Sequence, residues 1–164
     1  MLPSIAPKDW RDCAELLKQL DSRELLNCAL AASQLALPIW IEAVSSDAER
    51  QPVAQAVAYL RAWLCGECDG SKARLLGDEV YRAVRSSNIP TGTPERSAAF
   101  AAAHAVFALA FHLGQCRKSG KVKVFAAVRN CVGHASDAAQ LDVRYSLEWG
   151  ERWLIAIHAN QESH

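Results

Sequence analysis

The fold of this chain is decided by an alanine-rich stretch that runs from Ser97 to Leu113 and reads SAAFAAAHAVFALAFHL. The stretch is almost entirely apolar and contains neither glycine nor proline. Alanine has the highest intrinsic helix propensity, and its small side chain lets neighbouring helices approach closely. The sequence therefore predicts a buried helix here, at the centre of a helical bundle.

Turn and capping residues delimit this central helix and the helices before it. The segment SSNIPTGT, residues 86–93, predicts a loop, and Thr93 at its end is a suitable N-cap for the central helix. Asp21 or Ser22, followed by Glu24, is typical of a capping box. Both patterns predict the start of a helix.

Two prolines and one glycine predict further helix boundaries. Pro38 lies inside a helical pattern, where its ring removes a backbone hydrogen bond, so we expect a kink or a break near residues 35–38. Pro52 suits the first turn of the next helix. Gly66 stands where a left-handed residue is needed to end that helix.

Apolar residues recur at helical spacing along the rest of the chain, and the only strand-like alternation is at residues 121–124. Four residues cannot form a sheet by themselves. The sequence predicts one all-α domain over residues 1–164, a compact bundle of about seven antiparallel helices. A loose internal duplication or a solenoid-like stack stays open as a variant of this architecture.

Charge gives no sign of a nucleic-acid partner. The 164 residues include 18 basic and 18 acidic side chains, so the formal net charge is zero. A non-specific nucleic-acid binder needs several cations on one face. One local basic cluster exists, and it is typical of a solvated helix end and turn: Arg117, Lys118, Lys121, Lys123 and Arg129.

The N-terminal segment, MLPSIAPKDW, lacks the apolar core of a signal peptide. No window reaches the roughly 20 apolar residues, free of nearby charges, that are needed to cross a bilayer. The sequence therefore predicts a cytoplasmic protein with no membrane partner.

Six cysteines are scattered through the helical patterns, which indicates buried reduced thiols rather than a disulfide framework. Cys65 and Cys68 form a C-x-x-C motif, whose spacing lets two sulfurs reach one metal ion or form a redox disulfide. A structural zinc site needs four ligands, and the sequence has no second such motif. We expect no metal and no cofactor, with Cys65 and Cys68 as the weak candidates for a metal site.

The histidines predict no catalytic site. His104 and His112 share a face of the central helix but lie about 12 Å apart, too far to bind one ion directly. The segment HASD, from His134 to Asp137, contains the residue types of a hydrolase triad without the nucleophile elbow that accompanies one. Motifs for phosphate, dinucleotide, calcium and zinc-protease sites are also absent from the sequence. An enzyme with this sequence would therefore have to be unconventional.

Four acidic residues surround one predicted inter-helix turn: Glu67, Asp69, Asp78 and Glu79. Such clusters are usually solvated surface, but a negative patch would steer a partner that has a basic active site. The four residues are the candidate partner-binding site.

Three short motifs follow each other between residues 37 and 67: LPIWIE, then ERQP, then RAWLCGE. They resemble the immunity proteins of bacterial polymorphic-toxin systems, in which an L-P-x-[FW]-E helix precedes an R-P-x-x-A-[IV] start and a closing R-A-W-x-x-G-E. The segment AAAHA, residues 101–105, is similar to the alanine and histidine helices of the same group. Gln51, between Arg50 and Pro52, departs from the pattern.

The resemblance implies an all-helical, non-enzymatic, cytoplasmic protein that binds a cognate toxin and blocks it. Occlusion of a toxin needs a rigid surface and complementary charge rather than catalytic groups. The residues that match the family motifs are expected to have structural roles: Pro38, Trp40, Glu42, Arg50, Pro52, Arg61, Trp63 and Gly66.

Two other functions stay open. One is a metal-binding helical enzyme or sensor that uses Cys65 and Cys68. The other is a helical adaptor or regulator that meets nucleic acid through the cluster between Arg117 and Arg129. The sequence leaves the oligomeric state open.

Overall fold

The computed structural model describes residues 15–141 and 149–162, and within them all regular secondary structure is helical. A short helical stretch at 15–17 precedes six longer helices. These are α1 (Ser22–Ala43), α2 (Asp47–Leu64), α3 (Ala73–Ser86), α4 (Pro94–His112), α5 (Lys121–Leu141) and α6 (Trp149–Glu162). The predicted all-α class is confirmed, whereas the predicted domain limits, residues 1 and 164, lie outside the described residues.

The alanine-rich stretch forms α4, which lies at the centre of the bundle as predicted. It packs against α1, α2, α3 and α5. Its alanines at 98, 99, 101, 102, 103, 105, 108 and 110 are all buried. Since these side chains end at Cβ, the backbones of four other helices can pack around α4.

The helices form a bundle rather than a nearest-neighbour stack. α1 packs against α4 and α5 as well as against its neighbour α2, and α6 also lies on α1. In a solenoid each repeat contacts only the repeats adjacent to it in sequence. The buried side chains of α1 and α4 therefore belong to one continuous core.

The predicted caps are confirmed. The Asp21 carboxylate accepts a hydrogen bond from the Glu24 N–H at 2.8 Å, and the Glu24 side chain accepts one from the Asp21 N–H, which completes a capping box. Thr93 caps α4 through the Arg96 N–H. Gly66, at φ 74°, ends α2 in a Schellman motif, because the N–H of Glu67 donates to the Ala62 carbonyl.

The structure tests the boundaries predicted from the two prolines. α1 runs without interruption through Pro38, so of the predicted kink or break the break is wrong and the kink stays a prediction. Pro38 is exposed, and water can therefore hydrate the Gln34 carbonyl that loses its donor. Pro52 is the sixth residue of α2 rather than a first-turn residue, because α2 begins at Asp47.

The corner between α1 and α2 is held by two of the family-motif residues. The Trp40 indole N–H donates to the Glu49 carbonyl at 2.9 Å, and the Trp40 side chain is fully buried. The Arg50 guanidinium donates to the carbonyls of Ile41, at 3.0 Å, and of Val44. Arg50 thus satisfies carbonyls at the C-terminal end of α1 that have no partner within the helix.

The other motif residues lie along the same two helices. Glu42 and Arg61 are exposed, and Pro52 is half-buried. Trp63 is also half-buried, and its ring meets the edge of the His112 ring at a centroid distance of 5.5 Å. These positions are compatible with the structural roles that the resemblance implies.

One described helix, α1, is long and apolar enough to cross a membrane by length and composition alone. Near the N-terminus, a signal sequence passes the same test. Within the protein, 61% of the apolar window of α1 is buried against other helices. That burial is typical of a core helix.

Overpacking the α4 contacts is expected to destabilise the protein. Ala105 is fully buried, so the side chain introduced by Ala105→Leu has no free volume, and we expect the free energy of unfolding to fall by about 1–3 kcal/mol. Urea denaturation followed by circular dichroism measures the change. The same replacement at exposed Ala58 on α2 is the control and should shift the value by less than about 0.5 kcal/mol. Equal effects at the two sites would contradict the tight packing of α4.

Candidate functional site

One face of α4 carries phenylalanine and histidine side chains, whereas the buried faces carry mostly alanine together with Val106 and Leu109. Phe100, His104, Phe107 and Phe111 follow one another at intervals of four, three and four residues, which places them in one stripe along the helix. All four are only partly buried. The stripe is therefore the side of α4 that its neighbours leave open.

Two helices flank this stripe and form a groove above it. α3 contributes Arg74, Asp78 and Tyr81, and α5 contributes Lys123 and Asn130 among other residues. The groove encloses about 480 Å³, within the roughly 300–1,000 Å³ range typical of binding sites. We call it the aromatic groove, and its lining is Arg74, Asp78, Tyr81, His104, Phe107, Phe111, Cys116, Arg117, Lys123, Ala126, Ala127 and Asn130.

A second, smaller cavity continues the aromatic groove along α5. It encloses about 340 Å³, shares Asn130 with the groove and extends to Asp137. From Lys123 to Asp137 the two cavities follow one face of α5 over 14 residue steps, a length of about 21 Å. The open surface is therefore elongated along the helix axes.

Close packing at Gly77 on α3 positions one of the aromatic rings. A Cβ atom at Gly77 would lie 2.5 Å from the Phe107 ring, so the absence of a side chain there leaves room for Phe107 against α3. The Tyr81 ring lies 5.9 Å from Phe107 and 5.2 Å from Phe100, centroid to centroid. The aromatic groove thus has a packed aromatic floor.

His104 and His134 form a stacked pair between α4 and α5. Their rings are nearly parallel, at 10°, with centroids 5.2 Å apart. The Tyr81 hydroxyl lies 3.3 Å from His104 Nε2, within hydrogen-bond distance. Three side chains from α3, α4 and α5 therefore meet at the middle of the open surface.

Burial keeps these side chains uncharged near neutral pH. Desolvation, with a smaller contribution from the charge of His134, lowers the pKa of His104 to about 4. Desolvation also lowers the pKa of His134, against an opposing effect of Asp137, and raises the pKa of Tyr81. A general base works best with a pKa near the operating pH, so His104 is a weak base at pH 7. The pair is better suited to hydrogen bonding and stacking.

Charge is distributed unequally along the rim. The end near the α4–α5 turn has three cations, Arg74, Arg117 and Lys123, and one carboxylate, Asp78. The other end has one charge of each sign, Arg129 and Asp137. Only the first end has a positive excess.

Hydrogen bonds between two turns fix that positive end. The Gln115 side-chain amide donates to the Gly70 carbonyl at 2.6 Å, and its oxygen accepts from the Arg74 N–H at 3.2 Å. These hydrogen bonds fix the position of the α4–α5 turn relative to the start of α3, at the cationic end of the groove.

The structure divides the predicted acidic site. Asp78 lines the aromatic groove, and its sequence neighbour Glu79 is half-buried. Glu67 and Asp69 lie in the exposed α2–α3 turn, where the Asp69 carboxylate accepts a hydrogen bond from the Ser71 N–H that lowers its pKa. A partner-binding role for these four residues stays a prediction.

Cys65 and Cys68 lie in the same turn, Cys65 exposed and Cys68 half-buried. No disulfide joins any of the five described cysteines, and Cys13 lies outside the described residues. Across residues 15–141 and 149–162, no three His, Cys, Asp or Glu side chains converge as metal ligands would. The structure brings no further ligand to Cys65 and Cys68 in this part of the chain.

Sequence reasoning missed the aromatic groove. Local spacing groups His104 with His112 and His134 with Asp137, but the structure pairs His104 with His134, 30 residues along the chain. The available signal was the regular spacing of aromatic residues within a run of alanines. His112 lies apart from the pair, exposed and against Trp63.

Comparisons of this chain with models of protein families, with curated proteins and with solved structures give no significant match.

Proposed function

We propose that this protein is an immunity protein of a bacterial polymorphic-toxin system, which binds a cognate toxin in the cytoplasm and blocks it by occlusion. The family resemblance of residues 37–67 supports this function. The aromatic groove also supports this function, and it is the structural observation on which the proposal depends. The groove is large, open and lined by residues typical of protein recognition.

The composition of the aromatic groove matches that of protein interfaces. Its floor holds Phe107, Phe111 and Tyr81, while Arg74 and Arg117 lie at the rim. Aromatic residues and arginine are enriched in the energetically dominant centres of protein interfaces. Asp78 is the member of the predicted acidic set that such an interface would include.

The contacts of the motif residues support a rigid scaffold. Trp40 and Arg50 hold the α1–α2 corner, and Gly66 ends α2. A preformed surface binds with less ordering cost than a flexible one. In this proposal the motif residues stabilise the fold, and the aromatic groove contacts the toxin.

The test is complex formation with the toxin domain encoded next to this gene. We expect the two purified proteins to elute together in size-exclusion chromatography and this protein to suppress the toxin's activity. Phe111→Glu should weaken binding by about 30-fold, because it replaces an apolar contact of the groove with a charge. Val122→Glu is the matched control, since Val122 is 81% exposed and outside the groove, and it should change affinity less than about threefold.

A toxin domain that neither binds this protein nor loses activity in its presence would contradict the proposed function. Circular dichroism of both variants checks that they are folded.

A further inference from the structure

The open stripe of α4 has the geometry of an unfilled helix-packing seam. Phe100, His104, Phe107 and Phe111 alternate at intervals of four and three residues, as the a and d positions of packed helices do. On the remaining faces of α4, the alanines meet other helices. At its base the stripe contacts Tyr81 on α3 and His134 on α5, whereas its outer side, toward the groove, is not covered by the described helices.

The walls of the aromatic groove suit an additional helix. α3 and α5 both pack against α4, and the groove separates them above the stripe. Packed helices lie about 8–10 Å from each other, so a helix above α4 would contact α3 and α5 at the same time. The 14 residue steps from Lys123 to Asp137 give the site a length of about 21 Å, or about four helical turns.

The charges along the groove determine which helix would fit it and in which direction that helix would lie. Arg74, Arg117 and Lys123 outnumber Asp78 at one end, while Arg129 and Asp137 balance each other at the other end. A helix with carboxylates in one terminal turn would place them at the positive end. A nucleic-acid backbone would require cations along the whole length of the site.

We propose that the aromatic groove binds an amphipathic helix of the partner, whose apolar stripe packs on Phe107 and Phe111 and whose acidic turn meets Arg74, Arg117 and Lys123. This inference rests on the proposed partner-binding function and specifies which element of the toxin is recognised. In this mode of recognition a helix lies in a groove, and its apolar side chains at intervals of three and four residues contact the groove.

Designed peptides test the inference without the natural partner. The acidic peptide has 16 residues, capped termini, leucine at intervals of three and four, and three glutamates in its N-terminal turn, where they also favour the helix dipole. The basic peptide replaces these glutamates with lysine. By fluorescence anisotropy at low salt we expect the acidic peptide to bind at least about 10-fold more tightly than the basic one.

Two variant pairs locate the binding site. Ala126→Trp fills the groove from α5 and should abolish binding of the acidic peptide, whereas Ala58→Trp, on exposed α2 surface, should leave it unchanged. The double replacement Arg117→Glu and Lys123→Glu should reverse the preference between the peptides. The control is the double replacement Lys18→Glu and Lys72→Glu, at two exposed sites outside the groove.

Equal affinity for the two peptides, no binding of either, or acidic-peptide binding that persists in Ala126→Trp would each overturn the inference. Displacement of the acidic peptide by an equal concentration of a 12-base-pair DNA duplex would also overturn it, in favour of an anion site. Peptide binding together with no toxin complex would contradict the immunity function alone. A toxin complex unaffected by Ala126→Trp would contradict only the use of this groove.

Discussion

Replacing Trp40 by alanine is expected to lower the free energy of unfolding by about 3–5 kcal/mol. The Trp40 side chain is fully buried, so its removal leaves a large cavity between α1 and the start of α2. It also removes the indole donor of the Glu49 carbonyl. The loss of packing and the loss of the hydrogen bond both weaken the α1–α2 corner.

Chemical denaturation followed by circular dichroism at 222 nm measures this change, since tryptophan fluorescence itself changes in the variant. Trp40→Phe is the matched control, because it retains an aromatic ring and loses the N–H donor. We expect it to cost about 1–3 kcal/mol, less than the alanine variant. A Trp40→Ala protein as stable as the original would show that the corner does not depend on this side chain.

Acidification from pH 7 to pH 4 is expected to remove about 3 kcal/mol of stability through His104 alone. The pKa of His104 is lowered from 6.5 to about 4 in the folded protein, by burial and then by His134. Below pH 6.5 the unfolded chain therefore binds a proton that the folded protein does not bind. The stability that depends on neutral His104 is therefore fully present above pH 6.5, and it is lost as the pH falls toward 4.

Groups from both neighbouring helices face His104. These are Tyr81 on α3, and His134, with Asp137 near it, on α5. Carboxylates elsewhere titrate in the same pH range, so the measurement compares His104→Gln with the unchanged protein at pH 7 and pH 4. The variant should lose about 3 kcal/mol less on acidification, whereas His112→Gln, at an exposed site, should follow the unchanged protein. Identical pH profiles for His104→Gln and the unchanged protein would contradict a neutral, buried His104.

Much of the fold was predictable because helix formation depends on local interactions. Thr93, Asp21 and Gly66 act through hydrogen bonds to residues a few positions away, so their roles are visible in short segments. The predicted start of α2 was wrong because contacts with another helix determine where α2 begins. α2 begins a turn earlier than Pro52 suggests, and its first turns are held by contacts of Glu49 and Arg50 with α1.

The aromatic groove was less predictable. Its floor could be anticipated from the spacing of Phe100, His104, Phe107 and Phe111, but its walls come from helices distant in sequence. Asp78 was selected as one of four acidic residues around a predicted inter-helix turn, and the structure places it with Arg74 and Tyr81 in the lining of the groove. Neighbours in the chain diverge because adjacent residues of a helix point about 100° apart.

Composition, spacing and capping suffice to make this chain a set of helices around an alanine-rich centre, because propensity and capping act within one or two turns. The aromatic groove, its positive end and the stacking of His104 on His134 exist only once α3 and α5 have packed on either side of one stripe of α4. Residues 30 positions apart have no fixed relation in the unfolded chain. The close approach that alanine permits brings them within reach of each other.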